Sequence, residues 1–404
     1  MAEDSKARQA ASVSSTPENP PAWGPEANTA AGLGGVTGLP SLLAIVAQQI
    51  TADGGWWPFD RFMHAALYTP GLGYYSRGER VFGALPQDGS DFITAPELSP
   101  LFGRCVARQV AQGLQAAQAD EVWEFGAGTG ALAEQVIEGL HQQGQALRRY
   151  TIVDVSGGLR ERQAQRLARF GPQVAWADTL PERFSGVLLG NEVLDAMPVR
   201  LLHCDGVAWQ ERGVALVDGG AGHPHVALRW ADRPTAQMPP HEGPWVPGTV
   251  TEIHEQAEAF IRTLVQRLER GLMLFIDYGF PQAEYYHPQR TGGTLMCHQA
   301  HRMDAEPLHE LGRKDITAHV NFTGIALAAQ DASADVLGYT SQASFRLNCG
   351  LVEHLETADL RTRAAAQKLI TEHEMGELFK VIALGRGLTL DPLGFRDGDR
   401  MHRL

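Results

Sequence analysis

The sequence has no long hydrophobic run. Its longest apolar stretch near the N-terminus covers residues 42–47, whereas a transmembrane helix needs roughly 18 apolar residues. Hydrophobic residues nevertheless make up 44% of the 404 positions and charged residues 20%, which is ordinary usage for a folded protein. The composition therefore predicts no membrane-spanning segment, and it excludes a largely disordered or fibrous chain.

Positive charge is also scarce. Lys and Arg total 34 against 47 Asp and Glu, which gives a formal net charge of −13. A uniformly basic surface for nucleic acids is thereby excluded as the main function, although a local basic groove stays open.

Cysteine is rare and never paired in sequence. The four cysteines are Cys105, Cys204, Cys297 and Cys349. Without a CxxC pair they predict neither a disulfide framework nor a zinc ribbon, and a reducing compartment fits best. His298 and His301 beside Cys297 could be read as metal ligands, but no fourth ligand has a suitable spacing, so we predict no metal site.

Residues 1–40 contain few large apolar side chains and are rich in Ala, Ser, Pro, Gly and Thr. This composition predicts a disordered tail. A mitochondrial transit peptide is Arg-rich and poor in acidic residues, whereas this segment has four acidic residues and only two basic ones. We therefore expect a cytoplasmic location.

From residue 121 onward, short apolar strands alternate with helical patterns. Strands are predicted at 121–125, 150–155, 173–177, 186–191, 271–279, 334–341 and 379–387. Helices are predicted at 42–51, 58–66, 101–118, 131–141, 159–170 and 251–270. Such alternation indicates parallel βαβ units in a doubly wound α/β sheet. Short β-like runs within residues 199–250 interrupt it and predict an inserted antiparallel meander.

A glycine-rich turn follows the first of these strands. The run WEFGAGTGALAE places Glu124, Gly126, Gly128 and Gly130 between strand and helix, where glycine lets the backbone approach a ligand and the helix offers its N–H groups. Ala131 could stand for the third glycine of a dinucleotide site, so a nicotinamide-dependent oxidoreductase stays open. The carboxylate of Glu124 and the E-x-G-x-G-x-G spacing favour S-adenosylmethionine.

Acidic residues follow the next two strands. Asp154 is suitably placed to accept both ribose hydroxyls, and Asp178 to reach the adenine amino group. Each could alone be a turn or helix-cap residue. Together with the glycine turn they predict a cofactor site, because ligands collect at the carboxyl ends of such strands.

The segment GNEVLDAMPV follows the fourth strand with Asn191, Glu192 and Asp195. If it forms a helical turn, Glu192 and Asp195 share one face and point into the cleft. A solvated helix start is the alternative. The D/N-P-P-Y/F signature of amide-type methyltransferases is missing here, which argues against adenine or glutamine methylation.

Residues 68–100 are too long and irregular for a plain connection. We predict an ordered loop over the cofactor, in which Tyr74, Tyr75, Asp91, Thr94 and Glu97 contact a substrate.

Further along the chain, Asp315, His319 and Asn321 alternate as on one strand face. That face is either a substrate-facing edge, with His319 as a binding residue, or a half-solvated strand. Four arginines, Arg160, Arg162, Arg166 and Arg169, predict a solvated helix face.

Several of these stretches together resemble the MidA-like methyltransferases, a family that includes the mitochondrial complex I assembly factor that methylates a protein arginine. The matching stretches are GYYS (73–76), SDFITAPELSPLFGR (90–104), EFGAGTGAL (124–132), VDVSGGLRERQ (153–163), GNEVLDAMPVRLL (190–202), FIDYGF (275–280) and DITAHVNFT (315–323). The resemblance implies a class I fold with S-adenosylmethionine as methyl donor, and it suggests symmetric dimethylation of arginine. Family members often carry a Pro in the glycine turn and an Asp where Asn321 stands.

We therefore expect an α/β, Rossmann-like class I methyltransferase with a mostly parallel seven-stranded sheet, an N-terminal cap and an inserted meander. The expected domains are a tail at 1–40, a cap and active-site loop at 41–118, the methyltransferase domain at 119–390 with insertions near 199–250 and 280–330, and a C-terminal tail at 391–404. Asn191, Glu192 and Asp195 are the candidate catalytic residues. We expect a protein substrate, and a homodimer is compatible with the sequence. A binding or assembly module with vestigial activity and a small-molecule methyltransferase are the alternatives.

Overall fold

The computed structural model describes residues 41–77, 94–154, 157–217, 226–299 and 302–404. Its helices are α1 Leu42–Ala52, α2 Phe59–Tyr68, α3 Ala95–Leu98, α4 Leu101–Ala117, α5 Ala131–Gln142, α6 Gly157–Leu167, α7 Glu255–Arg267, α8 Gln282–Tyr285, α9 Phe322–Asp331, α10 Gln342–Asn348, α11 Leu351–Thr357 and α12 Leu360–Ile370. Its strands are β1 Trp56–Pro58, β2 Glu121–Phe125, β3 Arg149–Val153, β4 Val174–Ala177, β5 Phe184–Asn191, β6 Arg200–Cys204, β7 Trp209–Leu216, β8 Leu228–Pro234, β9 Val250–Ile253, β10 Leu268–Phe280, β11 Met296–Gln299, β12 Arg302–Asp304, β13 Asp315–Thr317, β14 Val320–Asn321, β15 Asp335–Ser341 and β16 Phe379–Arg386.

The central sheet grows outward from β2. This strand pairs in parallel with β3 and β5, and β4 and β10 extend the sheet in parallel on either side. β16 and β15 complete the far edge in antiparallel pairs, and β14 lies beside the end of β10. The sheet of the described residues is therefore mixed and has eight strands rather than the predicted seven. The additional strand, β14, has only two residues, too few to leave a periodic pattern in the sequence.

The central strands are apolar on both faces because helices cover both. Along β10, Leu272, Leu274 and Ile276 join a buried cluster that includes α4 and α5. Their neighbours Met273 and Phe275 join a second cluster with α7 and α9. Successive strand residues point to opposite faces, which explains why a strand buried between two helical layers reads as a continuous apolar run.

The predicted meander forms a second, antiparallel sheet. Its strands follow the order β1-β7-β6-β9, with β8 also on β7. The helix predicted at 251–270 is wrong at both ends, because residues 250–253 form β9 and residues 268–270 begin β10. Val250, Thr251 and Ile253 are β-branched and suit a strand, and their pairing with β6 determines the outcome.

A third sheet of β12, β11 and β13 lies between β10 and α9 in sequence. The chain end at 391–404, expected as a tail, packs onto the fold instead. Phe395 is buried against the ring of Phe345, and Arg400 forms an ion pair with Glu377. Within the described ranges, none of the helices is both long and apolar enough to cross a bilayer.

Candidate active site

The turn between β2 and α5 is made by glycines for a steric reason. Gly126, Gly128 and Gly130 have φ angles of 60°, 54° and 84°, in the left-handed region that glycine adopts without strain. A Cβ atom on Gly126 would lie 3.0 Å from Cγ2 of Val193. Glycine is therefore needed both to turn the chain and to bring it close to the loop after β5.

A cavity of about 1110 Å³ opens beside this turn. Ligand pockets usually measure about 300–1,000 Å³, so this one has room for a nucleotide-sized cofactor and a substrate side chain together. Ten of the predicted catalytic, cofactor-binding and substrate-binding residues line it: Tyr75, Thr94, Glu124, Gly126, Gly128, Asp154, Asp178, Asn191, Glu192 and Asp195.

Four other predicted site residues do not line the cavity: Tyr74, Glu97, Gly130 and His319. Tyr74 is fully buried in an apolar cluster that includes residues of α1, α2 and the antiparallel sheet. His319 stacks on the ring of Phe280 at 5.3 Å between centroids. Gly130 ends the turn at the start of α5. Asp91 lies outside the described residues, as does much of the predicted loop, residues 78–93.

Glu97 serves an ion-pair network rather than a substrate surface. Its carboxylate accepts hydrogen bonds from Thr129 in the glycine turn and from Arg166 on α6. Arg166 also pairs with Glu134 on α5 at 2.8 Å. The prediction of a purely solvated arginine face is thus wrong for Arg166, because the short helix α3 brings Glu97 against it.

Hydrogen bonds from Tyr150 and Gln163 fix the carboxylates of Glu124 and Asp154. The Tyr150 hydroxyl donates to Oε2 of Glu124 at 2.7 Å, and burial raises the pKa of this carboxyl to about 8. Gln163 on α6 donates from Nε2 to Oδ2 of Asp154 and to the Gly128 carbonyl, both at 2.9 Å. Gln163 therefore ties the end of β3 to the glycine turn, and nothing in its sequence context indicated this.

Asp178 lies at the exposed rim of the cavity. Its carboxylate pairs with Arg160, which also donates to the carbonyls of Asp154 and Ala177, both at 3.3 Å. Arg160 thus links the ends of β3 and β4. It is a second exception to the predicted solvated arginine face.

The loop after β5 is not the helical turn that the sequence suggested. Glu192 has a φ angle of 54°, a strained conformation for a residue with a side chain. The Asn191 side chain donates to its Oε1 at 2.8 Å. Glu192 and Asp195 nevertheless both line the cavity, so the predicted convergence of these carboxylates occurs on a different backbone.

Asp277 at the end of β10 holds this loop. Its Oδ2 accepts backbone N–H groups from Val193, Leu194 and Asp195 at 3.1, 2.8 and 3.3 Å. The side chain is buried and does not line the cavity. Its role is to stabilise the conformation that presents Glu192 and Asp195.

Part of the cavity wall is formed by residues that lie outside the central sheet. Tyr68 and Tyr75 stack with ring centroids 5.6 Å apart, and the Tyr75 hydroxyl donates to Oδ1 of Asp315 at 2.9 Å. His298 lies opposite Asp315 in the pairing of β11 with β13, and both line the cavity. Asp315 does not share a strand face with His319 and Asn321, because the strand breaks after Thr317 and Asn321 caps α9.

Sequence reasoning missed the roles of Asp277 and Tyr68. Asp277 lies in the FIDYGF stretch, where its position after a buried strand was the only available indication. Of the candidate metal ligands, His301 lies outside the described residues. In the part of the chain that the structure describes, no three His, Cys, Asp or Glu residues are grouped as a metal site would require.

Four carboxylates, Glu192, Asp195, Asp277 and Asp315, form what we term the carboxylate cluster. Burial raises the pKa of Glu192 to about 8 and that of Asp277 to about 7, and the neighbouring acidic groups add to the effect at Glu192. Burial and the same neighbours raise the pKa of Asp195 well above its usual range. Repulsion among these buried carboxyls is relieved by a positive charge, so the cluster favours a cationic ligand.

The raised pKa of Glu192 predicts how stability depends on pH. A carboxyl whose pKa is higher in the folded state binds more protons there, so its contribution is complete below about pH 4.5 and is lost as pH rises through about 8. We expect the free energy of unfolding of the ligand-free protein, measured in urea from pH 5 to 9, to fall more steeply in the wild type than in Glu192→Gln. Parallel curves would contradict the assignment.

Comparison with known proteins shows the family. A family model for S-adenosyl-L-methionine-dependent methyltransferases matches residues 105–340, more than half of the chain. The chain belongs to this family. It is an S-adenosylmethionine-dependent methyltransferase, as the resemblance to the MidA-like group implied.

Solved structures and curated relatives agree with this assignment. A Burkholderia thailandensis protein crystallised with S-adenosylhomocysteine is 49% identical, with a TM-score of 0.84 over 90% of this chain and 96% of that one. The Drosophila melanogaster protein arginine methyltransferase NDUFAF7 homolog, mitochondrial, is 28% identical over 91% of this chain and 89% of its own length. The human protein arginine methyltransferase NDUFAF7, mitochondrial, is 26% identical over 80% and 78%.

The predicted cytoplasmic location is contradicted by these relatives, which are named as mitochondrial proteins. The prediction used the charge of residues 1–40 and the scattered cysteines. Unpaired cysteines indicate a reducing environment but do not distinguish one such compartment from another. Residues 1–40 lie outside the described structure.

Proposed function

We propose that this methyltransferase acts on an arginine side chain of a partner protein. The observation that carries the proposal is the convergence of Glu192 and Asp195 on the cavity beside the glycine turn. Burial and neighbouring acidic groups, rather than a Lys or Arg, are the main influences on the pKa of both carboxylates. The names of the relatives, protein arginine methyltransferases, support the same acceptor.

A guanidinium suits this arrangement chemically. S-adenosylmethionine would supply the methyl group of its sulfonium: transfer to a guanidinium nitrogen breaks the S–CH3 bond, leaves S-adenosylhomocysteine and releases one N–H proton, which the carboxylate of Glu192 or Asp195 can accept. The protein's task is to aim that nitrogen, about 3–3.5 Å from its target. Glu192 and Asp195 accept the planar N–H donors, fix the guanidinium plane and stabilise its charge. Asn191 orients Glu192 through its side-chain amide.

The glycine-turn end of the same cavity fits the cofactor. We assign the ribose hydroxyls to Asp154, the adenine amino group to Asp178, and the amino-acid part to Glu124 and the turn at Gly126, Gly128 and Gly130. Asp154 is already oriented by Gln163, and the glycine backbone can approach a ligand where a Cβ atom would intrude.

Asp154→Ala should weaken S-adenosylhomocysteine binding at least tenfold. Hydrogen bonds to a charged group contribute about 1.5–3 kcal/mol, which corresponds to roughly 10- to 150-fold in affinity. Isothermal calorimetry measures the change, and Glu161→Ala on the exposed face of α6 is the matched control. Unchanged affinity in Asp154→Ala, or tighter binding of NAD than of S-adenosylhomocysteine by the wild type, would refute the assignment.

The acceptor is tested with radiolabelled S-adenosylmethionine and a cell lysate. We expect label in protein, recovered after acid hydrolysis as methylarginine by mass spectrometry, and incorporated at least tenfold more slowly with Glu192→Gln. Label in a low-mass fraction would indicate a small-molecule methyltransferase. A wild-type protein that binds S-adenosylhomocysteine but transfers no label would indicate a binding or assembly module.

A further inference from the structure

Asp315 is the one member of the carboxylate cluster that comes from the small sheet β12-β11-β13, among the described residues. It is buried yet lines the cavity. Its Oδ1 accepts the hydrogen bond from Tyr75 described above. A phenol that donates to a carboxylate in an apolar setting orients it, because burial leaves few other arrangements.

The small sheet is fastened to the loop that carries the other two cavity carboxylates. The Ala318 N–H, just after β13, donates to the Asp195 carbonyl at 2.9 Å. The Tyr68 hydroxyl donates to the Ala196 carbonyl at 3.0 Å. These bonds hold Asp315, Asp195 and the two stacked tyrosines in one rigid unit. Asp315, Asp195 and Glu192 all line the same cavity, and the charge of Asp315 contributes to the raised pKa of the other two.

Three carboxylates around one cavity offer more acceptors than a single ammonium can use. A lysine ammonium has three donors on one nitrogen, whereas a guanidinium has five N–H donors spread over three nitrogens in one plane. Methyl transfer involves one nitrogen only, so the donors on the other two need partners of their own. The stacked rings of Tyr68 and Tyr75 add a surface on which a planar cation is stabilised.

We propose that Asp315, oriented by Tyr75, contacts the substrate as a third carboxylate and selects a guanidinium over an ammonium. This inference rests on the proposed function, because it concerns the acceptor end of the same cavity. Glu192 and Asp195 hold the reacting nitrogen, and Asp315 accepts N–H donors from the rest of the group.

The test measures binding, so that it does not depend on turnover. The full-length protein saturated with S-adenosylhomocysteine is titrated with ethylguanidinium, a mimic of the arginine side chain, and with n-butylammonium, a mimic of lysine. We expect the wild type to bind ethylguanidinium at least fivefold more tightly. Asp315→Asn should weaken ethylguanidinium at least tenfold and n-butylammonium much less, since the variant keeps the shape and loses the charge.

Two further variants separate contact from structure. Asp304→Asn lies on the same small sheet, pairs with Lys314 and does not line the cavity, so it should bind both probes as the wild type does. Asp315→Glu restores the charge and should recover part of the selectivity. S-adenosylhomocysteine affinity within twofold of the wild type shows that each variant is folded.

Equal loss of both probes in Asp315→Asn, or no loss, would overturn the inference. So would a wild type that does not prefer ethylguanidinium. None of these results affects the lysate experiment, in which methylarginine is detected independently. Conversely, methyl transfer to another acceptor would refute the proposed function even if Asp315 binds guanidinium. If Asp315→Asn alone loses S-adenosylhomocysteine binding, Tyr75→Phe decides, since it removes the hydrogen bond from Tyr75 that orients Asp315 and should lower the guanidinium preference two- to fivefold.

Discussion

Glu192→Gln should lower kcat for arginine methylation at least tenfold and leave S-adenosylhomocysteine affinity within twofold. The substitution keeps the size of the side chain and removes its charge. A hydrogen bond from a guanidinium to a charged acceptor is worth about 1.5–3 kcal/mol, which is roughly 10- to 150-fold in rate if it acts in the transition state. Single-turnover kinetics with a methyl-accepting protein from the lysate experiment measures the effect.

The matched control is Glu182→Gln, an exposed glutamate in the connection before β5. It should leave both kcat and cofactor affinity unchanged. A rise in KM alone for Glu192→Gln would mean that Glu192 binds the acceptor equally in the ground and transition states. Full turnover in both Glu192→Gln and Asp195→Asn would refute the assigned mechanism.

The glycine-turn end of the cavity could be predicted because its determinants are local. Gly126, Gly128 and Gly130 follow β2 directly, and each needs the positive φ angle that the structure gives it. Asp154 follows β3 just as directly. Carboxyl ends of neighbouring parallel strands meet at one edge of the sheet, so periodicity and strand order suffice to bring Gly126, Gly128 and Asp154 to one cavity.

The loop after β5 could be predicted only in part, because distant residues determine its backbone. The conformation of the loop after β5 depends on Asp277, which lies 82 to 84 positions further along the chain than the N–H groups it binds. Helical spacing predicted that the side chains of Glu192 and Asp195 point into the cleft. Both line the cavity, although the loop that carries them is not a helical turn. The positive φ angle of Glu192 has no local sequence pattern behind it.

Contacts with distant residues also explain why Tyr74 and His319, which were predicted to contact a substrate, do not line the cavity. Tyr74 and Tyr75 are adjacent and chemically identical, yet only Tyr75 lines the cavity, because Tyr74 packs into the apolar cluster of α1, α2 and the antiparallel sheet. The alternation of DITAHVN suggested one continuous face. The break between β13 and β14 sends His319 toward Phe280 and leaves Asp315 at the cavity.

Asp277→Ala should affect stability and turnover together. Three buried N–H groups would lose their acceptor, and each unsatisfied donor costs about 1–3 kcal/mol. We expect the free energy of unfolding in urea to fall by about 3 kcal/mol, since water entering the space satisfies part of the loss. We also expect kcat to fall at least 100-fold, because Glu192 and Asp195 both lose the backbone that presents them.

The pattern across variants distinguishes a positioning role from general destabilisation. Asp335→Ala, at the exposed start of β15 in the same sheet, should change neither quantity. Asp277→Asn keeps one side-chain oxygen that can accept the loop N–H groups, so it should recover most of the stability and a large part of kcat. S-adenosylhomocysteine affinity should stay within threefold in all three, because the glycine turn and Asp154 make no hydrogen bond to Asp277.

If Asp277→Ala loses stability but keeps full turnover, the loop presents its carboxylates without Asp277. The geometry of the carboxylate cluster would then depend on other contacts, among them the Glu192 N–H to the Ile276 carbonyl and the Ala318 N–H to the Asp195 carbonyl.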